Sequence, residues 1–318
     1  MISEQLQTAP LLPALAALAP LLREVGDAKR VRVASAPGSL AEQAFSRAWA
    51  RLVEGEDPEP VALSETAAAV ARARLGGVVP ALLRQVEQAD AEVLRAAGLS
   101  GREAAAVLRR AFAEVSGVLH VEVRERLCEA LPLVRRPVAP PPLLAGVLNR
   151  QPRAGATCPG LPRILVEPPE SHGDHCLTVA VYGVLIAPLV GADPVVPFLI
   201  GLAHHLHNAF LPDAGFAGEV LLGEHLTRVM NTLEERELTA LPVDLADRLR
   251  DVLVLRADAV APASQAFHAA DVLDRVLQVH HHARAAGFTA TQALDDLELV
   301  HAGPVQAFHT GVLAAAGL

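Results

Sequence analysis

The stretch ESHGDHCLTVAVYGVLIAPLVG, residues 170–191, opens polar and then runs without a charge from Cys176 to Ala192. Beyond Asp193-Pro194 a second apolar run covers Val195 to Ala203. Two readings compete here, a membrane span or a pair of buried helices. Neither run reaches the ~20 apolar residues that a span normally needs. Both are flanked or interrupted by His, Asp and Pro, so they read as core helices of a protein that does not enter a membrane. Pro188 is placed to kink the first helix. Asp193 reads as a cap, and Pro194 falls in the first turn of a second helix over 194–210.

Composition agrees with a helical reading. The chain has 318 residues, 52% hydrophobic, 20% charged and 3% aromatic, with mean hydropathy +0.32. An Ala- and Leu-rich chain with few aromatics is expected to be all-α. Net charge is −9 with no long Lys/Arg block, which speaks against an extended nucleic-acid surface. The three cysteines form no CxxC pair, and the N-terminus, with its early Glu and no basic region, makes a poor signal peptide. The expected location is the cytoplasm.

Amphipathic periodicity extends outward from this centre. Helices are expected over 40–55, with Ser39 and Glu42 forming a capping box, and over 63–77, with Ser64 as cap and a Gly pair as stop. More follow at 78–98 and 100–131. The segment RRPVAPPPL (135–143) breaks the pattern, and Gly and Pro recur to about 170. This divides the chain into an N-terminal helical domain (1–134), a Pro/Gly-rich connection (135–168) and a C-terminal helical domain (169–318). Further helices are expected at 241–259, at 264–287 and in the closing segment. The nearest approach to a strand, VRVA (31–34), is too short to carry a sheet.

Twelve of the thirteen histidines lie between His172 and His309. In GLAHHLHNAFLPD (201–213), His204, His207 and Asn208 would share one face of a helix. His205 would reach the same ion from the helix edge, and Asp213 would fold back toward it. Asp271, in the largely apolar HAADVLDRVL, needs a partner such as a metal or an arginine. His280, His281 and His282 read as a solvated helix end, and His225, His301 and His309 as bystanders.

The second half, over about 168–285, resembles an HD-domain phosphohydrolase, nearest to the nucleoside 5'-monophosphatase-like branch. Glu170-Ser171-His172-Gly173-Asp174-His175 resembles that branch's first motif, with His175 at the ligand position. LAHHLHN resembles the His-Asp motif, with His204 as the histidine, His205 where an aspartate is usual and Asn208 where a glutamate is usual. Asp213 matches a following aspartate, and Asp271 in ADVLDR matches the last ligand. The resemblance implies an HD-domain-like helical bundle with an additional N-terminal helical region. It implies one divalent transition metal (Fe, Mn, Co, Ni or Zn) held by His175, His204, His205 and Asp271. Asp213 and Asn208 would serve the water, and Arg163 and Arg275 would hold phosphate. The substrate would be a small phosphate ester, a nucleotide being one candidate.

The two departures change the chemistry. Imidazole at 205 is neutral and cannot bridge two metals as a carboxylate does, and Asn208 cannot accept a proton as glutamate would. A non-catalytic HD-like regulator or scaffold is therefore the rival reading, and an iron oxygenase or lyase a third. Gly38–Phe45 resembles the first motif once more, with Gln43 in the histidine position. Either the N-terminal region is a degenerate repeat or this is an ordinary capping box. The apolar faces of its helices would bury either a homodimer interface or a monomer core.

Overall fold

The computed structural model describes residues 11–34, 36–77, 101–131, 137–258 and 260–284. Helices account for the architecture, so the all-α expectation holds. In chain order they are α1 (Leu11–Gly26), α2 (Leu40–Val53), α3 (Pro58–Leu75), α4 (Gly101–Val115), α5 (Val121–Ala130) and α6 (Leu143–Leu148). Then come α7 (His172–Ile186), α8 (Val195–Ala203), α9 (Gly215–Leu222), α10 (Leu226–Thr239), α11 (Val243–Val254) and α12 (Pro262–Ala283). The expected helix at 78–98, the closing segment, His301 and His309 lie outside the described residues. The chain to Gln278 forms one unit, and a small second unit begins at Val279.

The VRVA segment does pair. β1 (Arg32–Val33) and β2 (Ala36–Ser39) make an antiparallel hairpin that leads directly into α2. That helix starts as expected, because the Ser39 hydroxyl accepts from Glu42 N while a Glu42 carboxylate oxygen accepts from Ser39 N. The next helix starts earlier than expected. Asp57 caps α3 through Glu59 N and Pro58 occupies its first turn, while Ser64 lies inside the helix and donates to the Pro60 carbonyl. Gly76 ends it as foreseen. The 100–131 segment is not one helix, because a 3-10 turn at Ser116–Val118 separates α4 from α5.

At the centre lies α7, every residue of which is buried. It begins with a second capping box, Ser171 with Asp174. It packs on α8, α2 and α3, so helices from both halves of the sequence share one core running from Leu18 to Ala270. The division at 135–168 therefore does not mark separate cores. Within that connection, α6 itself buries Leu144, Ala145 and Leu148. Together with the 3-10 turn after it, α7 makes His172–Val190 long and apolar enough to cross a bilayer, yet most of the segment is buried inside the protein.

α7 and α8 approach closely at Gly201, where an added Cβ would lie 2.5 Å from the Ala180 backbone. Two features of α8 follow from its ends. Asp193 accepts from Val195 N, and Pro194 stands just before the first helical residue. The helix also stops at Ala203, well short of residue 210.

Candidate metal centre

The early end of α8 decides how the histidines are presented. His204 caps the helix, His205 leaves helical geometry at φ −113°, ψ 22°, and Leu206–Ala209 turn as a 3-10 segment. The shared helical face expected for His204, His207 and Asn208 does not exist. The sharper turn instead swings the His204 and His205 rings side by side, with centroids 4.2 Å apart. Both then meet His175 from the first turn of α7, each at a centroid distance of 5.1 Å.

The hydrogen bonds assign the ring protons. His204 Nδ1 donates to the Gly201 carbonyl at 2.8 Å, which leaves a lone pair on Nε2. His175 Nδ1 donates to Asp274 Oδ2 at 2.8 Å, which turns its own Nε2 toward His204. The two Nε2 atoms are 3.2 Å apart, and His175 Nε2 is also 3.3 Å from Asp271 Oδ1. Two ring lone pairs and a carboxylate facing one another need a cation between them, either a shared proton or a metal. Ligands bound at ~2.0–2.1 Å in tetrahedral array lie about 3.3 Å apart, so the spacing suits an ion. Donor atoms of His175, His204 and His205 all fall within 4.8 Å of one another. This group, with Asp271 beside it, could hold a metal ion.

His205 sits differently. Its Nδ1 donates to Asn208 Oδ1 at 2.7 Å, and its Nε2 accepts from an Arg153 guanidinium nitrogen at 2.8 Å. Asn208 uses its amide nitrogen on the Leu211 carbonyl. It is thus a support for the His205 ring. An ion drawing on His205 has to displace the Arg153 contact.

Asp213 does fold back to this region. One oxygen accepts from Ala154 N at 3.0 Å and the other from Gly215 N at 2.8 Å. His172 Nε2 and Arg153 Nε each lie 3.8 Å away. Burial would raise its carboxyl, but the backbone donors and Arg153 hold it below the usual range. Of the two expected arginines, Arg275 reaches the centre and pairs with Asp271 Oδ2 at 3.1 Å. Arg163 is exposed, and its contact is the Ala214 carbonyl at 3.4 Å.

Burial favours the neutral form of His172, His204, His205 and His207. Burial first and then His175 lower His204, and burial and then His204 lower His205. Burial and Arg153 push His172 down to about 3, and burial and Arg256 bring His207 to about 4. His172 donates Nδ1–H to the Gln151 carbonyl at 2.9 Å, and its buried Nε2 has no hydrogen-bond partner among the described residues.

Behind His175 lies a charged layer that sequence reasoning missed. Lys29 Nζ is 2.6 Å from both Asp274 Oδ1 and Glu170 Oε1. Glu170, His175 and Asp274 also cluster with metal-like spacing. The ammonium already placed against both carboxylates fills that position, so it is not a second metal site. Its role is to fix Asp274, which in turn fixes the His175 ring, the outer-shell arrangement expected of a ligand histidine. Asp274 was open to discovery, since it follows Asp271 by one helical turn on the same face. Lys29 and Arg153 carried no local signal. Comparison with protein-family models, with curated proteins and with solved structures finds no match for this chain.

Proposed function

We propose that the chain is a divalent-metal-dependent phosphohydrolase with an HD-domain-like core, acting on a small phosphate ester. One observation carries the reading. The His175 and His204 lone pairs oppose each other at 3.2 Å beside Asp271, and each ring is locked by a hydrogen bond on its far nitrogen. His175, His204 and Asp271 would hold the ion, with His205 joining once Arg153 turns away. A divalent transition metal such as Fe, Mn, Co, Ni or Zn supplies Lewis acidity toward a phosphoryl oxygen and toward water.

The remaining roles fall to groups around that centre. Arg153, released from His205, offers a planar donor fork to phosphate oxygens, and the half-exposed Arg275 offers another at the edge. Asp213 stays anionic and already accepts from two backbone donors, so it orients water more readily than it takes a proton. A nucleotide is one candidate substrate.

One contact favours a second reading, a non-catalytic regulator or scaffold. Arg153 closes the His205 nitrogen to an ion. Elemental analysis of tag-free protein separates the two, followed by a phosphatase screen using p-nitrophenyl phosphate and nucleoside 5'-monophosphates. We expect about one transition-metal ion per chain, lost in folded His204→Ala and Asp271→Ala, with metal-dependent release of phosphate. Metal without hydrolysis of any substrate supports the scaffold. No metal after reconstitution with each of the five ions refutes the hydrolase.

A further inference from the structure

A cavity of about 340 Å3 opens between α1, the turn that follows it, the start of α2 and the C-terminal part of α3. It is at the small end of ligand pockets, which run ~300–1,000 Å3. Val25, Val31, Leu40 and Ala69 give it an apolar wall, and Arg72 lies in the same wall.

Arg72 is only 6% exposed, and its guanidinium makes no hydrogen bond among the described residues. Its Nε is wholly buried, with no hydrogen-bond partner among the described residues. The nearby carboxylates are already engaged. Glu65 accepts from both Arg47 and Arg51, and Arg51 also pairs with Glu56. Three guanidiniums thus face two carboxylates, and Arg72, though attracted by the charge of Glu65, makes no hydrogen bond to either among the described residues. Burial and then the charge of Arg47 push its pKa down to about 9, so it is still a cation at neutral pH. A buried charge without hydrogen bonds is costly unless an anion completes it.

The rim narrows the choice of anion. Glu24 and Asp27 line the cavity as well, Glu24 paired with Arg74 and Asp27 with Arg30. These two carboxylates repel a phosphate dianion more strongly than a carboxylate monoanion, while the apolar wall favours a hydrocarbon body. A carboxylate matches the two-pronged donor face of a guanidinium. We infer that this cavity binds a small organic carboxylate with an aliphatic body, its head group on Arg72 and its chain against Val25, Val31 and Leu40. The site is separate from the histidine centre and stands whether or not that centre is catalytic.

Calorimetric titration of the full chain tests it, with hexanoate as probe and with hexanamide and hexyl phosphate as controls. Hexanoate should bind with a Kd on the order of 1 mM, and hexanamide at least about tenfold more weakly. Arg72→Met keeps the side-chain length and removes the charge. It should fold, melt no lower than the parent, and lose hexanoate binding about tenfold or more. Ala73→Leu retains Arg72 and crowds the cavity, and it should also abolish binding. If Arg72→Met does not fold, Ala73→Leu and the amide comparison decide. Absence of hexanoate binding, equal binding of hexanamide, unchanged binding by either folded variant, or tighter binding of hexyl phosphate each overturns the assignment.

Discussion

Replacing Lys29 by Met keeps most of the apolar stem and removes one charge from a fully enclosed network. In the parent, the ammonium lies 2.6 Å from Glu170 and from Asp274, and those residues are 7% and 1% exposed. Burial would lower the Lys29 pKa, but Asp274 and Glu170 hold it above 10.5. Burial would raise Asp274, but Lys29 foremost and then His175 hold it below 3.8. A raised lysine contributes stability below its unfolded pKa of 10.5, and a depressed aspartate above its unfolded pKa of 3.8. The pair is therefore fully effective across neutral pH. Removing one partner of a buried ion pair costs about 3–5 kcal/mol, because the remaining charge stays buried without compensation. Urea unfolding at pH 7 should show a loss of that size in Lys29→Met, and adding Glu170→Gln should recover part of it. On acidification the parent loses its contribution as pH falls below 3.8, so the gap between parent and variant should narrow there. A loss under about 1 kcal/mol at pH 7, the size typical of an exposed pair, would refute the reasoning.

Asp274→Asn leaves the direct ligands intact but weakens the bond that orients His175, and metal affinity should fall about 10–100-fold by competitive chelator titration. Asp174 is buried beside Glu42, and these causes, in that order, raise its carboxyl from 3.8 to about 7. The folded state therefore holds that proton more tightly than the unfolded state, and its contribution to stability declines as pH rises from about 4 to about 7. Asp174→Asn should flatten this slope in denaturation midpoints measured across the window, and an unchanged slope would remove Asp174 as its source. Gly201→Ala drives a methyl toward the Ala180 backbone and should cost about 1–3 kcal/mol in chemical denaturation. Because the Gly201 carbonyl also holds His204, the same variant should bind metal more weakly.

Much of this protein was legible in one dimension. The capping box of Ser39 and Glu42, the stop at Gly76, the Asp193 cap and the apolar run from Cys176 all rest on interactions within a few residues, which local sequence encodes directly. The set His175, His204, His205 and Asp271 came from the resemblance to HD-domain motifs, and packing brings these residues together. Their presentation was not legible. A helix through residue 210 would have aligned His204 with His207, but α8 ends at Ala203 and the turn pairs His204 with His205. Ser64 looked like a cap because a serine preceded a good helical run, yet Asp57 and Pro58 had already started that helix. Lys29 on Asp274, Arg153 on His205, and Arg72 beside its cavity join residues far apart in sequence or depend on what packs around them. Charges of this kind are placed by which helices share the core, and no local pattern reports it. Sequence alone determined the helical class and where several helices begin or end, while tertiary packing decided which nitrogen faces the centre, which charge stands behind it and which is left without a partner among the described residues.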